Sequence, residues 1–263
     1  MLIKNLKYCL LIFCISINAL GATPALYGTA SIVPGLGQTL NGHYLEGVSW
    51  FVTSLGLISS KDVVIRNIGQ DIWFYNIYDA WKDAGGKPSN DHFVGYEYAQ
   101  NFNPANIADP FSIGYLGAAA ASRSKAKNNK DNKNAKEDLD KVSTVGSIAM
   151  FTFVGLGEES LFRGFLYPSL SSWLGNWGGA VVSSAAFSFA HVGASSGGNA
   201  ARFIMGMLFC WQYTRNNYQL GANVFAHSWY DQILIGNMSI RDPQNKKPNL
   251  RDPPLGIQFQ ISF

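Results

Sequence analysis

Apolar and polar positions fall in blocks along this chain. Lys4 and Lys7 precede an apolar core from Tyr8 to Ile17, and Ala19-Leu20-Gly21 follows it. Spanning a bilayer takes about 20 apolar residues, so this core is too short, and residues 1–21 read as a signal peptide cleaved before Ala22. The next block, 25–84, reads as a membrane hairpin followed by an amphipathic helix, "WFYNIYDAWKDA". In the hairpin Gly35, Gly37, Gly42 and Gly47 punctuate two short apolar runs. Residues 85–141 read as polar loops around one apolar segment, 111–121. They end in "SRSKAKNNKDNKNAKEDLDK", which has no apolar period and predicts a solvated linker. Its seven Lys and Arg from Arg123 to Lys141 favour the cytoplasmic side.

From 142 to 238 the chain is apolar again. Its runs are Val142–Gly157, 158–174, Trp177–His191, Ala200–Tyr213 and Leu220–Ile235, and their Gly, Ala and Ser suit close helix packing. The polar tail 239–263 ends with Leu255, Ile257, Phe259, Ile261 and Phe263 in alternation, a strand period. The pattern predicts an all-α, multi-pass transmembrane helical bundle with a short C-terminal strand.

Composition agrees with a membrane setting. Charged residues are 14% of the chain, against about 25% in ordinary soluble domains. The net charge of +3 is small and its basic part is concentrated in one linker and near the termini, so no nucleic-acid partner is expected. The cysteines, Cys9, Cys14 and Cys210, lie in apolar runs without a CxxC pair and read as buried thiols.

Against that background, charge inside the C-terminal block stands out. Between Val142 and Ile240 only six side chains are charged, and Glu158, Glu159 and Arg163 are three of them. On a helix Glu159 and Arg163 share a face, with the carboxylate N-terminal, the better orientation. Glu158 points about 100° away. Arg163 can therefore neutralise Glu159 and leave Glu158 for general acid–base work. His191 ends an apolar run one turn after Phe187. Asn223, His227 and Asp231 recur every four residues and form one polar stripe on an apolar helix. Such a stripe inside a membrane must face other polar groups.

Together the three motifs EESLFR (158–163), FSFAH (187–191) and HSWYD (227–231) resemble the CPBP family, the CAAX-protease and bacteriocin-processing intramembrane endopeptidases also called the Abi family. The resemblance covers about residues 142–238. It implies that Glu158 and His191 activate a water, that His227 and Asp231 form the oxyanion site, and that Glu159 and Arg163 support the motif helix; Phe187, one turn before His191, and Asn223, on the polar stripe, are expected as further supporting residues. Eukaryotic members have Asn where this chain has Asp231. An Asp donates a hydrogen bond only when protonated, so Asp231 reads either as a neutral donor or as a carboxylate orienting His227. Residues 25–84 resemble bacterial membrane hairpins with a PGxGQ…NGxxxxG pattern.

The expected function is thus hydrolysis of a peptide bond in a peptide or membrane-protein substrate, within the lipid bilayer, without a cofactor. The expected location is the bacterial inner membrane. Two rivals stand beside it. A metal-dependent membrane peptidase would use the histidines as ligands, although HExxH is missing. A non-catalytic scaffold or immunity-type protein would keep the cluster for packing alone.

Overall fold

The PGxGQ motif has a physical reason, visible in a computed structural model that describes residues 23–89, 93–126, 142–191 and 196–236. Helix α1 (Thr23–Ala30) is followed by the short α2 (Leu36–Leu40), α3 (Tyr44–Ile58) and α4 (Val63–Asp83). Gly35 enters α2 with φ 75°, a left-handed conformation that suits glycine. A Cβ on Gly35 would also collide with the Gly47 carbonyl, so two motif glycines let two backbones touch. Gln38 then reaches α4, and its amide donates to the Asn76 carbonyl and to Asp79 Oδ2, each at 3.2 Å. Asn76 completes the link by accepting from Gly35 N and donating to the Ser31 carbonyl.

Helix α4 begins with an N-cap, Asp62, whose carboxylate accepts from Val64 N and Ile65 N. From Gly69 to Trp81 it is buried on almost every side. Its aromatic residues pack against the C-terminal half of the chain, with Trp81 and Phe165 centroids 6.4 Å apart. Phe74, Tyr75, Tyr78 and Trp81 share one hydrophobic core with Phe162, Phe165, Phe187 and Phe209.

Asp79 lies inside this packing, where Gln38 and the Trp50 indole donate to it. Burial pushes its carboxyl up to about 7; Asp83 and Glu46 add to the rise and Lys82 opposes it. A carboxyl raised on folding contributes stability that is full below its unfolded value of 3.8 and is lost as pH climbs through about 7. Thermal unfolding in detergent between those limits should show the melting temperature falling as pH rises. Asp79→Asn should flatten that slope, and an unchanged slope would mean that Asp79 does not titrate in this window.

After α5 (Val94–Ala99) and two 3₁₀ turns, α6 spans Pro110–Ala126. Helix α7 (Thr144–Glu159) continues through a π-helix, π1 (Ser160–Leu166), into α8 (Tyr167–Ala190), which breaks at Gly175. Helices α9 (Ser196–Arg215) and α10 (Gly221–Asp231) follow, and π2 (Gln232–Gly236) ends the described chain. The described residues are all helical where regular. The expected signal peptide, most of the charged linker and the C-terminal strand lie outside the described residues.

The stretch Thr144–Ala190 is the one, among the described residues, long and apolar enough to cross a membrane by length and composition. One such stretch does not establish several spans. Helix α3 is shorter, yet it is apolar and turns Leu45, Val48 and Val52 outward.

Candidate active site

The motif EESLFR was expected on a regular α-helix, but the structure widens it into π1 from Ser160. Pro168 accounts for the difference. Its ring would clash with the Gly164 carbonyl in an unbroken α-helix, and it brings no N–H to the ladder. The wider turn relieves both, and the Phe162 carbonyl accepts from Tyr167 N and from the Ser183 hydroxyl, the latter at 2.8 Å. Such π turns frequently occur at functional sites.

Glu159 and Arg163 still meet across the wider turn, with Arg163 Nη1 donating to Glu159 Oε1 at 2.9 Å. Both side chains are fully buried. The rest of the guanidinium lies over the rings of Phe187 and Phe209, 4.4 and 4.9 Å from their centroids. The other Glu159 oxygen accepts from Asn223 Nδ2 at 3.2 Å, and that amide also donates to the Phe209 carbonyl.

The structure assigns the orienting of His227 to Glu159 rather than to Asp231. His227 Nδ1 lies 2.7 Å from Glu159 Oε1. A carboxylate held by two other donors can only accept, so Nδ1 carries a proton and Nε2 faces the opposite way. There Nε2 lies 3.7 Å from Glu158 Oε2 and 3.7 Å from Asp231 Oδ2. Phe209 stacks on the imidazole at 5.5 Å and helps fix its plane.

His191 is fixed by the same logic. Its Nδ1 donates to the Phe187 carbonyl at 2.7 Å, so the neutral ring presents Nε2 as an acceptor. That nitrogen is buried with no hydrogen-bond partner among the described residues. The FxxxH spacing thus has a double use: Phe187 lends its carbonyl to His191 and its ring to Arg163. The Phe187 ring also meets both imidazoles edge-on, at 4.8 Å for His191 and 6.0 Å for His227.

All the residues expected at a site, Glu158, Glu159, Arg163, Phe187, His191, Asn223, His227 and Asp231, are therefore brought into one buried region, none more than 3% exposed. Three others are not marked by the sequence pattern. Phe209 sits in an apolar run that gives no sign of a role. Arg202, buried in α9, acts electrostatically on His191. Asp71 comes from α4, far away in sequence, and packs against Gly157, the residue before Glu158.

Among the described residues, the set of His, Cys, Asp and Glu whose ligand atoms gather within 4.8 Å of one another is His43, Glu46 and Asp83. It belongs to the N-terminal hairpin. At the C-terminal cluster each histidine commits Nδ1 to a protein oxygen, and the Nε2 of His227 lies 3.7 Å from Glu158 Oε2.

Residues 141–233, which carry all three motifs, match the family model described as type II CAAX prenyl endopeptidase Rce1-like. No curated protein and no solved structure is significantly similar to the chain. The Glu159–Arg163 pair and both anchored histidines thus lie in the one segment, residues 141–233, that is similar to the Rce1-like CAAX-protease family.

Proposed function

We propose that this protein is a multi-pass intramembrane endopeptidase of the bacterial inner membrane, with Glu158 and His191 as the water-activating pair. The observation that carries the reading is the anchoring of both imidazoles. Each is tied through Nδ1, so each offers only Nε2 for chemistry. A water held by His191 Nε2 and Glu158 gives up a proton to Glu158, and the hydroxide attacks the peptide carbonyl. His227, as an imidazolium balanced by Glu159, donates through Nε2 to the developing oxyanion. One such contact is typically worth about 3–4 kcal/mol of barrier. Glu158 then passes its proton to the leaving amine. Asp231, beside the same Nε2, supports the cationic imidazole.

A membrane setting is supported by the apolar stretch Thr144–Ala190 and by outward-facing Trp173, Trp177 and Trp211. The substrate is a peptide or membrane protein cleaved at a peptide bond. The test uses the purified full chain in bilayers with a panel of membrane-anchored peptides, with and without a strong chelator. Cleavage should appear and survive the chelator. No cleavage across the panel, or cleavage abolished by the chelator and restored by zinc, would overturn the reading.

A further inference from the structure

The hydrogen bond to Glu159 fixes one atom of the His227 ring, Nδ1. The plane of the ring also needs a contact on its face. Phe209 from α9 supplies it, with centroids 5.5 Å apart and planes 21° from parallel. Phe209 is braced in turn from α6, where the Tyr115 ring stacks on it at 4.3 Å and 23°. Tyr115, Phe209 and His227 are thus three near-parallel rings, each in contact with the next. Residue 115 lies outside residues 141–233, so the first of these rings comes from a part of the chain that carries none of the three motifs.

Helix α6 is held in register on α9 by Asp109. One carboxylate oxygen accepts from Phe111 N at 2.9 Å and Ser112 N at 3.3 Å, which starts the helix. The same carboxylate accepts from Gln212 Nε2 at 3.0 Å and Asn216 Nδ2 at 3.2 Å, which ties that start to the C-terminal end of α9. Phe111 then meets Trp211 edge-on, with centroids 5.0 Å apart. Tyr115 follows Phe111 by four residues and so lies on the same face of α6, which brings it onto Phe209. Tyr115 is 5% exposed, and its hydroxyl is buried with no hydrogen-bond partner among the described residues. What it supplies there is the face of its ring. Arg163 also lies over Phe209, 4.9 Å from the centroid, so a tilt of that ring would disturb the guanidinium that holds Glu159 as well.

Resting on the hydrolytic reading, we infer that Tyr115 is a positioning residue of the site: stacked on Phe209, it keeps the His227 ring in the plane in which Nδ1 meets Glu159 and Nε2 faces Glu158. Hydrogen bonds weaken steeply as donor and acceptor leave alignment. A donor to an oxyanion works only when it is already aimed at the place where charge develops. An aliphatic side chain at 115 fills the space but offers no flat face. Phe209 can then tilt, and the imidazole stacked on it tilts too. Helix α6 is thus part of the site, although no residue of it touches the reacting atoms.

The test uses the full chain in bilayers, with a cleavable membrane-anchored peptide for kinetics and isotope-labelled histidine for magnetic resonance. Tyr115→Leu should lower kcat about three- to tenfold with KM unchanged, the range that one aromatic pair contributes. It should also broaden or shift the signal of the Nδ1 proton that His227 gives to Glu159. Tyr115→Phe keeps the ring and should match wild type in both readings. Melting temperature is read alongside: a merely structural residue would lose stability in Tyr115→Leu without moving kcat or the proton signal below the melt. Should Tyr115→Leu not fold, Tyr115→Met takes its place with the same expectations, because a flexible thioether fills irregular space. An unmoved kcat, an unmoved proton signal, or Tyr115→Phe as slow as the aliphatic variant overturns the inference and leaves hydrolysis by Glu158 in place. If wild type cleaves nothing, the proton signal in the variants still decides whether Tyr115 positions His227, and the failure belongs to the hydrolytic reading.

Discussion

Glu158→Gln should abolish peptide cleavage and leave the protein folded. Glutamine keeps the size of the side chain but cannot take a proton from water. General acid–base catalysis typically contributes 10²–10⁴-fold, and in the proposed mechanism one group carries the proton in both directions, so a loss of at least about a thousandfold is expected. Folding should not suffer. Glu158 is fully buried, with His227 Nε2 3.7 Å from its Oε2. Replacing a buried charge there with a neutral amide removes a desolvation cost. The measurements are cleavage rate and detergent melting temperature on the same preparation. A rate within tenfold of wild type would remove Glu158 from the mechanism.

Glu159→Gln should act the other way, mainly on stability. Glu159 receives Arg163 at 2.9 Å, His227 at 2.7 Å and Asn223 at 3.2 Å. Glutamine keeps one acceptor oxygen, offers an amide where donors point, and leaves the Arg163 guanidinium buried without its counter-charge. Breaking a buried pair in this way typically costs about 3–5 kcal/mol, a large share of the 5–15 kcal/mol that holds ordinary domains together. A second change, Arg163→Met in the Glu159→Gln background, should recover part of the loss by removing the stranded charge. Activity should not return with it, because His227 has lost the carboxylate that fixes its proton on Nδ1. Equal melting temperatures for Glu158→Gln and Glu159→Gln would mean that the two adjacent acids do not divide their work.

Much of this arrangement was legible in the sequence because it is local. The four-residue spacing put Glu159 on Arg163, and the same spacing put Asn223, His227 and Asp231 on one face. The Phe187–His191 spacing placed a carbonyl under an imidazole, although its reason appeared only in the structure. What escaped was either long-range or a small change of helical pitch. Pro168 marked the widened turn at π1, but an apolar helix tolerates several ways of relieving a proline, and the pattern does not choose among them. The spacing offered Asp231 either as a neutral donor or as a carboxylate orienting His227, whereas the carboxylate at His227 Nδ1 came from another helix, as Glu159. Asp71 was hidden by its surroundings: in "GQDIWFYNIYDAW" it reads as one acid of an aromatic helix, and nothing local tells that Gly157 will admit it. The wiring of Gln38 to Asn76 and Asp79 was equally invisible, although the glycines that permit it were plain.

In the proposed mechanism, water activated by Glu158 opens a peptide bond inside this cluster. This step is tested most directly by cleaving a membrane-anchored peptide with the purified chain in bilayers made up in heavy-oxygen water, and weighing the fragments. Wild type should place one heavy oxygen in the new C-terminal carboxylate, and Glu158→Gln should give no fragment at all. Fragments produced equally by Glu158→Gln, or new C-termini without the heavy oxygen, would contradict the mechanism.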